Sequence, residues 1–456
     1  MQEKIVIIGA SHGGHEAAIE LLDKYQGLDV TIYEAGDFVS FMSCGMKLFL
    51  EQKTTGINDV RNFAPEDLEA RGGKVVSGHE VVEVNPQSKQ ITVKNIKNGE
   101  LEQVHYDKLI ISSGVNAANL PVPGNDLANI YLMRGYEAAQ KIDAAKNNPN
   151  IKNVVVIGAG NGINAVEVME KYGKNVTLID AGKRPLENYL PEEFTNVFAS
   201  EMEKHHVNLM METKVESFTG ENGQVSKVVT DKGEVAADLV IIAAGIKPAT
   251  DYLDGAIELN KMGYIQVDDY FRTSAADVYA IGDAIWPFSI PANTYAPNPS
   301  AVAARHEAQY LVDHLFEAKP SRPFPGLVGA QVLEVFDAHA AITGLNLRAM
   351  NFLKIDAKIS IYKDRIRPAY IPEDHNTKVL TYLIYNKASH QILGGGVLGG
   401  PAQVPLTNVL SLAIRQKLTL EDLVEQDFFF SPSYDRQWNL LNLAAKDALE
   451  YKRFDR

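Results

Sequence analysis

Cysteine is almost missing from this chain: Cys44 is the only one in 456 residues. An intrachain disulfide is therefore impossible, and a redox role for Cys44 needs an oxygen-based state of its sulfur or a thiol from outside. Positive charge is also in short supply. Lys and Arg number 44 against 58 Asp and Glu, a net charge of −14. That balance argues against nucleic acid and against an anionic membrane as partner. Long apolar runs are missing too. The longest are of strand length, so no membrane span is expected. No signal peptide is read either, because Met1-Gln2-Glu3-Lys4 leads straight into an apolar strand, and with one cysteine the chain reads as cytoplasmic. No metal centre is assigned. What remains is ordinary: 45% apolar and 22% charged residues, with length for two or three domains.

Lys4-Ile5-Val6-Ile7-Ile8 has the pattern of a buried parallel strand. Gly9-Ala10-Ser11-His12-Gly13-Gly14 follows, then a helix from about His15 to Tyr25, then the strand Asp29-Val30-Thr31-Ile32-Tyr33-Glu34. This is a βαβ dinucleotide fingerprint with Ser11 in place of the middle glycine. Gly9 makes the tight turn, small Ser11 admits a pyrophosphate, Gly14 lets helix and strand pack, and Glu34 is placed for a ribose hydroxyl. A second unit opens at Lys152 to Ile157, turns through Gly158-Ala159-Gly160-Asn161-Gly162-Ile163-Asn164 and ends its second strand in Asp180. Two fingerprints form an internal repeat and point to two dinucleotides. An acid at the end of the second strand favours NAD over NADP, with Lys183 and Arg184 close by.

Ten residues past Glu34 lies Ser43-Cys44-Gly45-Met46-Lys47, followed by a helix-compatible run to Glu51. A thiol at a helix N-terminus is favoured as thiolate; the alternative is an inert buried thiol. His12 falls at the start of its helix, where the dipole discourages imidazolium. It reads either as a neutral histidine near a phosphate or as a proton-transferring group beside Cys44. Glu16 shares a helix face with His12. Strands ending in Ser112-Ser113-Gly114 and in Gly245 echo one another, and Thr273 to Asp283 places Asp283 after a strand and a glycine. A helix from about Ser300 to Phe316 carries Arg305, and Pro320 to Gly326 reads as a linker. The last 130 or so residues lack a fingerprint. They end in Asp427 to Asn439, whose Phe428, Phe429, Phe430, Tyr434 and Trp438 read as core or interface residues.

On these motifs the chain resembles the two-dinucleotide flavoprotein disulfide reductases. Within them it is similar to the single-cysteine branch of NADH peroxidase, water-forming NADH oxidase and coenzyme A disulfide reductase. The resemblance implies an α/β fold with two Rossmann-like domains, for FAD and NAD, and a C-terminal α+β dimerisation domain. By it, residues 1–118 and 246–322 form the FAD-binding domain, 119–245 the NADH-binding domain and 323–456 the interface domain. It implies FAD and NADH as cofactors, hydrogen peroxide or dioxygen as acceptor, and a homodimer or dimer of dimers. It implies that Cys44 cycles between thiolate and sulfenic acid, with His12, Glu16 and Arg305 as further catalytic residues, the arginine and glutamate paired near the histidine. The implied cofactor-binding set is Gly9, Ala10, Ser11, His12, Gly13, Gly14, Glu34, Cys44, Ser112, Ser113, Gly114, Arg134, Asp283, Ala301, Gly158, Gly160, Asp180, Tyr189 and Gly245.

The expected reaction is peroxide reduction by NADH. Dioxygen reduction to water is the alternative, a flavin-binding redox sensor with weak NADH turnover is another, and coenzyme A disulfide reduction is disfavoured by Met46-Lys47-Leu48 after the cysteine. The second fingerprint departs from the family's GxGYIGIE. Its third glycine is expected at position 163, which is Ile163, while Gly162 comes one residue early. Asn161 stands near the place of the family's flavin-shielding tyrosine, and Asn164 in that of its glutamate. A bulky Ile163 is expected where helix meets strand, relieved by Gly162 only if the helix starts one residue early, with weaker NADH binding as the result.

Overall fold

The computed structural model describes residues 2–253, 255–317 and 321–451. Continuous Val/Ile runs cannot face water, so they pair as parallel strands covered on both faces. β1 (Glu3–Ile8) lies between β2 (Leu28–Tyr33) and the strand Lys108–Ile111, with Ile7 opposite Ile32 and Ile110. Lys74–Val76 and Val278–Ala280 complete a five-stranded parallel sheet. The second unit repeats the plan: Asn153–Ile157 lies between Asn175–Ile179 and Leu239–Ile242, flanked by Asn208–Met210 and Ile130–Leu132. The C-terminal part is an antiparallel five-stranded sheet from Ala330–Val335 to Ile392–Gly399. The apolar faces of helices Thr407–Arg415 and Leu440–Ala448 enter the core against it. The fold is thus α/β with two Rossmann-like sheets and a C-terminal α+β layer.

Helix α1 (His12–Lys24) starts three residues before the expected His15, because the last glycines of the fingerprint already belong to its first turn. It packs along the helix Ala301–His314. Of the expected linker, Pro320 lies outside the described residues. Phe324, further along, is buried in the first core, with its N–H bonded to the Asp269 carbonyl at 2.9 Å. Among the described residues no helix is long and apolar enough to cross a membrane.

Candidate active site

Gly9 adopts φ +94°, and a methyl group there would lie 2.4 Å from the Ser112 carbonyl oxygen. At Gly14 a methyl would lie 2.0 Å from the Gly9 carbonyl oxygen and 3.1 Å from Ile7. These clashes explain both glycines: backbone meets backbone at the turn. The Glu34 carboxylate accepts from the Ala10 N–H at 2.7 Å and from the Gly36 N–H at 2.9 Å, which fixes it at the mouth of the turn. Ser11 caps α1 without a side-chain bond, and no acid occupies the first turn. The positive end of α1 is therefore free to face an anion. Ser112, Ser113 and Gly114 leave the neighbouring strand at the same level, with the Ser112 hydroxyl 2.8 Å from where a methyl on Gly13 would be. The donor set, the close turn and the placed carboxylate fit a dinucleotide such as FAD.

Asp283 sits in the short turn Gly282–Ala284. Burial pushes its carboxyl up, against the pull of Arg134, whose guanidinium is 3.6 Å away. Glu307 reaches the same turn, accepting the Gly282 N–H at 2.6 Å, and its full burial raises it to about 8. Ala301 opens the helix that carries Glu307 and Arg305, capped by Ser300. The Arg305 guanidinium grips one oxygen of Glu16, with Nε at 2.8 Å and Nη2 at 2.7 Å. So Glu16 spends its charge on Arg305. His12 is held below its ordinary range by burial first, with Asp283 opposing and Arg305 and Arg134 adding to the depression. The charged imidazolium is thereby disfavoured, by burial and by the two guanidiniums.

Cys44 is exposed in the turn Ser43–Gly45, directly before helix α2 (Met46–Leu50), so the inert buried reading does not hold. Three features near it have no motif in the sequence. First, Met42 donates to the Val60 carbonyl at 3.0 Å and Asn62 to the Ser40 carbonyl at 3.3 Å, so a short antiparallel clip binds segment 40–42 to segment 60–62. Second, Asn62 and Phe63 lie on α1: the Asn62 amide nitrogen is 2.7 Å from His12 Nδ1, and the Phe63 ring packs on His15 with the Arg305 guanidinium 6.0 Å away. Third, Lys47 is buried between Glu167 at 2.7 Å and Glu334 at 2.9 Å. Burial pulls its ammonium down, but these two hydrogen bonds outweigh it and leave it raised. Only the apolar run around Lys47 hinted at a buried lysine.

In the second unit Asp180 mirrors Glu34, accepting from Ala159 N–H at 2.6 Å and Gly182 N–H at 2.7 Å. Tyr189 covers Gly160, its ring 3.5 Å from where a methyl would be. Gly158 (φ +104°) abuts the Ala243 carbonyl, and Gly245 (φ +144°) ends the loop after Leu239–Ile242. The expectation for Ile163 is corrected. A methyl at Gly162 would lie 2.1 Å from the Gly158 carbonyl oxygen and 3.0 Å from Val156, which closely matches the surroundings of Gly14. Gly162 is therefore the third glycine, one residue early, and the helix Ile163–Lys171 begins right behind it. Ile163 turns into the core instead. The shortened turn is closed by bonds from Ile163 N–H to Gly160 and from Asn164 N–H to Asn161, both 3.3 Å.

In the C-terminal stretch Phe428 is half-buried against the core, while Phe429 is 76% and Tyr434 71% exposed, with Phe430 and Trp438 also open.

Two Rossmann-like units, one carrying an exposed thiol beyond its fingerprint, define a two-dinucleotide flavoprotein oxidoreductase. The chain belongs to the pyridine nucleotide-disulphide oxidoreductase family, which matches residues 3–308; the dimerisation domain of the same family matches residues 332–441. An NADH oxidase of Enterococcus faecalis is 36% identical over 98% of this chain and 99% of its own length. An NADH oxidase of Streptococcus pyogenes is 30% identical with the same coverage. The structure of a water-forming NADH oxidase from Lactobacillus brevis bound to NADH superposes with a TM-score of 0.92 at 32% identity, covering 98% of both chains. The protein is an FAD- and NADH-dependent oxidoreductase.

Proposed function

We propose that this enzyme oxidises NADH with dioxygen and releases water: two NADH, two protons and one dioxygen give two NAD and two water. The expected peroxide substrate thereby gives way to dioxygen as the primary acceptor. The observation that carries the reading is a lone exposed thiol in a chain similar over its whole length to NADH oxidases, one of them water-forming. Bound FAD supplies the two-electron transfer from NADH. Cys44 supplies the second reduction: its thiolate takes one oxygen of a peroxide as sulfenic acid and releases hydroxide, which takes up a proton to become water. Two electrons and two protons then return the sulfenic acid to thiol with loss of a second water. Neutral His12 donates a hydrogen bond to the oxygen species, and Arg305, held by Glu16, disfavours protonation of the ring.

We assign the FAD to Gly9 to Gly14, Glu34, Ser112 to Gly114, Arg134, Asp283 and Ala301, and the NADH to Gly158, Gly160, Asp180, Tyr189 and Gly245. The division at 118, 245 and 322 is kept as part of the proposal, as is a homodimer through the C-terminal domain and its exposed aromatics. A second reading, peroxide as the incoming acceptor, is favoured by the Arg305 charge. Oxygen uptake tests the choice. Two NADH consumed per dioxygen, with no peroxide accumulating, supports the proposal. NADH oxidation that runs only with added peroxide under nitrogen replaces it with the second reading.

A further inference from the structure

Burial, Arg305 and Arg134 disfavour the charged His12 ring against the pull of Asp283, and a neutral imidazole carries one proton on one of its two nitrogens. Nδ1 faces the Asn62 amide nitrogen at 2.7 Å. An amide N–H donates and cannot accept, so this contact is a hydrogen bond only with Nδ1 as the acceptor, which leaves the ring proton to Nε2. Asn62 is not a free surface side chain that happens to reach the ring. Its backbone is bonded to Ser40 in the clip that also ties Met42 to Val60, two residues before Cys44. A methyl at Gly45 would lie 2.7 Å from Val60, so the segment after the thiol rests on the same clip. Phe63, the next residue, is wedged on α1 against His15, 4.5 Å between ring centroids. One short ladder therefore places both the thiol loop and the partner of His12.

We propose that Asn62 is a positioning residue that locks His12 in the Nε2–H tautomer, so that the ring offers a hydrogen-bond donor rather than a base. This deepens the proposed reaction and rests on it only for its effect on rate. A donor suits that chemistry: oxygen atoms gain negative charge as electrons arrive, and a fixed N–H stabilises that charge without reorganising. The reversed tautomer would present a lone pair to the same oxygen and repel it.

The experiment is long-range proton–nitrogen correlation on the oxidised holoenzyme with nitrogen-labelled histidine, His12 being assigned by its loss in His12→Gln. The wild type is expected to show His12 with Nε2 protonated and Nδ1 as acceptor. Asn62→Asp puts a carboxylate there, which can only accept; it should move the proton to Nδ1 or charge the ring. Asn62→Thr keeps a donor through its hydroxyl and should retain the wild-type tautomer. Dioxygen-dependent turnover should fall about 10- to 100-fold in Asn62→Asp with little change in the KM for NADH, and recover in Asn62→Thr. A wild-type His12 protonated on Nδ1 overturns the inference whatever the variants do, as does an unchanged tautomer in Asn62→Asp. A wild type with the Nε2–H tautomer but no NADH oxidation by either acceptor overturns the oxidase reading and leaves the role of Asn62 in place.

Discussion

His15 is fully buried beside Phe63. Burial lowers it to about 4 from 6.5, with Asp67 and the Ala10 backbone pulling weakly the other way. Its folded value lies below its unfolded one, so the unfolded chain binds the extra proton between them. Stability is then complete above pH 6.5 and is lost as pH falls toward 4, by about 3 kcal/mol for this residue. His15→Phe should flatten that acid limb, seen as a smaller drop in urea midpoint between pH 7 and pH 4.5. The same slope in the variant would assign the loss to other groups. Cys44→Ser should keep bound flavin yet consume NADH with one hydrogen peroxide released per dioxygen, because serine forms no sulfenic acid. Water as the product of that variant would remove Cys44 from the reaction. At this scale Cys44, His12, Glu16 and Arg305 were legible through motifs and resemblance, and the Arg305–Glu16 grip through resemblance alone, since the two lie 289 positions apart. Asn62 was illegible for the same reason: its partner is 50 residues away and its neighbours form no pattern.

The first fingerprint could be read residue by residue, because Gly9, Gly14 and Glu34 each answer a contact that only their side chain, or lack of one, permits. The second was misread at Ile163. Counting from Gly158 assumed a turn of fixed length, whereas helix packing on the strand selects whichever residue lacks a side chain at the crossing, and that is Gly162. Gly162→Ala should cost about 1–3 kcal/mol through overpacking and weaken NADH binding while sparing FAD. A melting temperature and an NADH titration equal to wild type would show that the crossing can relax. The shortened turn spends the Ile163 and Asn164 N–H groups on its own carbonyls, leaving fewer for an anion. Inserting Tyr after Gly160, with Asn161→Ile and Asn164→Glu, should tighten NADH about tenfold, the worth of one charge-assisted hydrogen bond. Equal affinity would make the short turn harmless and remove the motive for a sensor with weak turnover.

Across the whole molecule, Lys47 is where three parts meet: its own helix follows Cys44, Glu167 belongs to the second unit and Glu334 to the C-terminal sheet. Lys47→Met should destabilise by about 3 kcal/mol, the lower end of what a broken buried pair costs, because Lys171 still holds Glu167 at 2.6 Å. Lys47→Met with Glu167→Met should recover much of that loss; equal melting of single and double variants would show no coupling between them.

The strand Val278–Ala280 joins the first sheet beside Lys108–Ile111 only after the chain has built the second unit. On a ribosome this imposes an order. The middle unit emerges with all its strands from Ile130 to Ile242 and can close on its own, while the first sheet waits with an open edge. Asp283 and the helix Ala301–His314 that lies along α1 come later still. On the cofactor assignment proposed above, flavin capture is thus a late event in synthesis, and a nascent chain stopped short of Arg305 holds a complete second unit beside an incomplete first one.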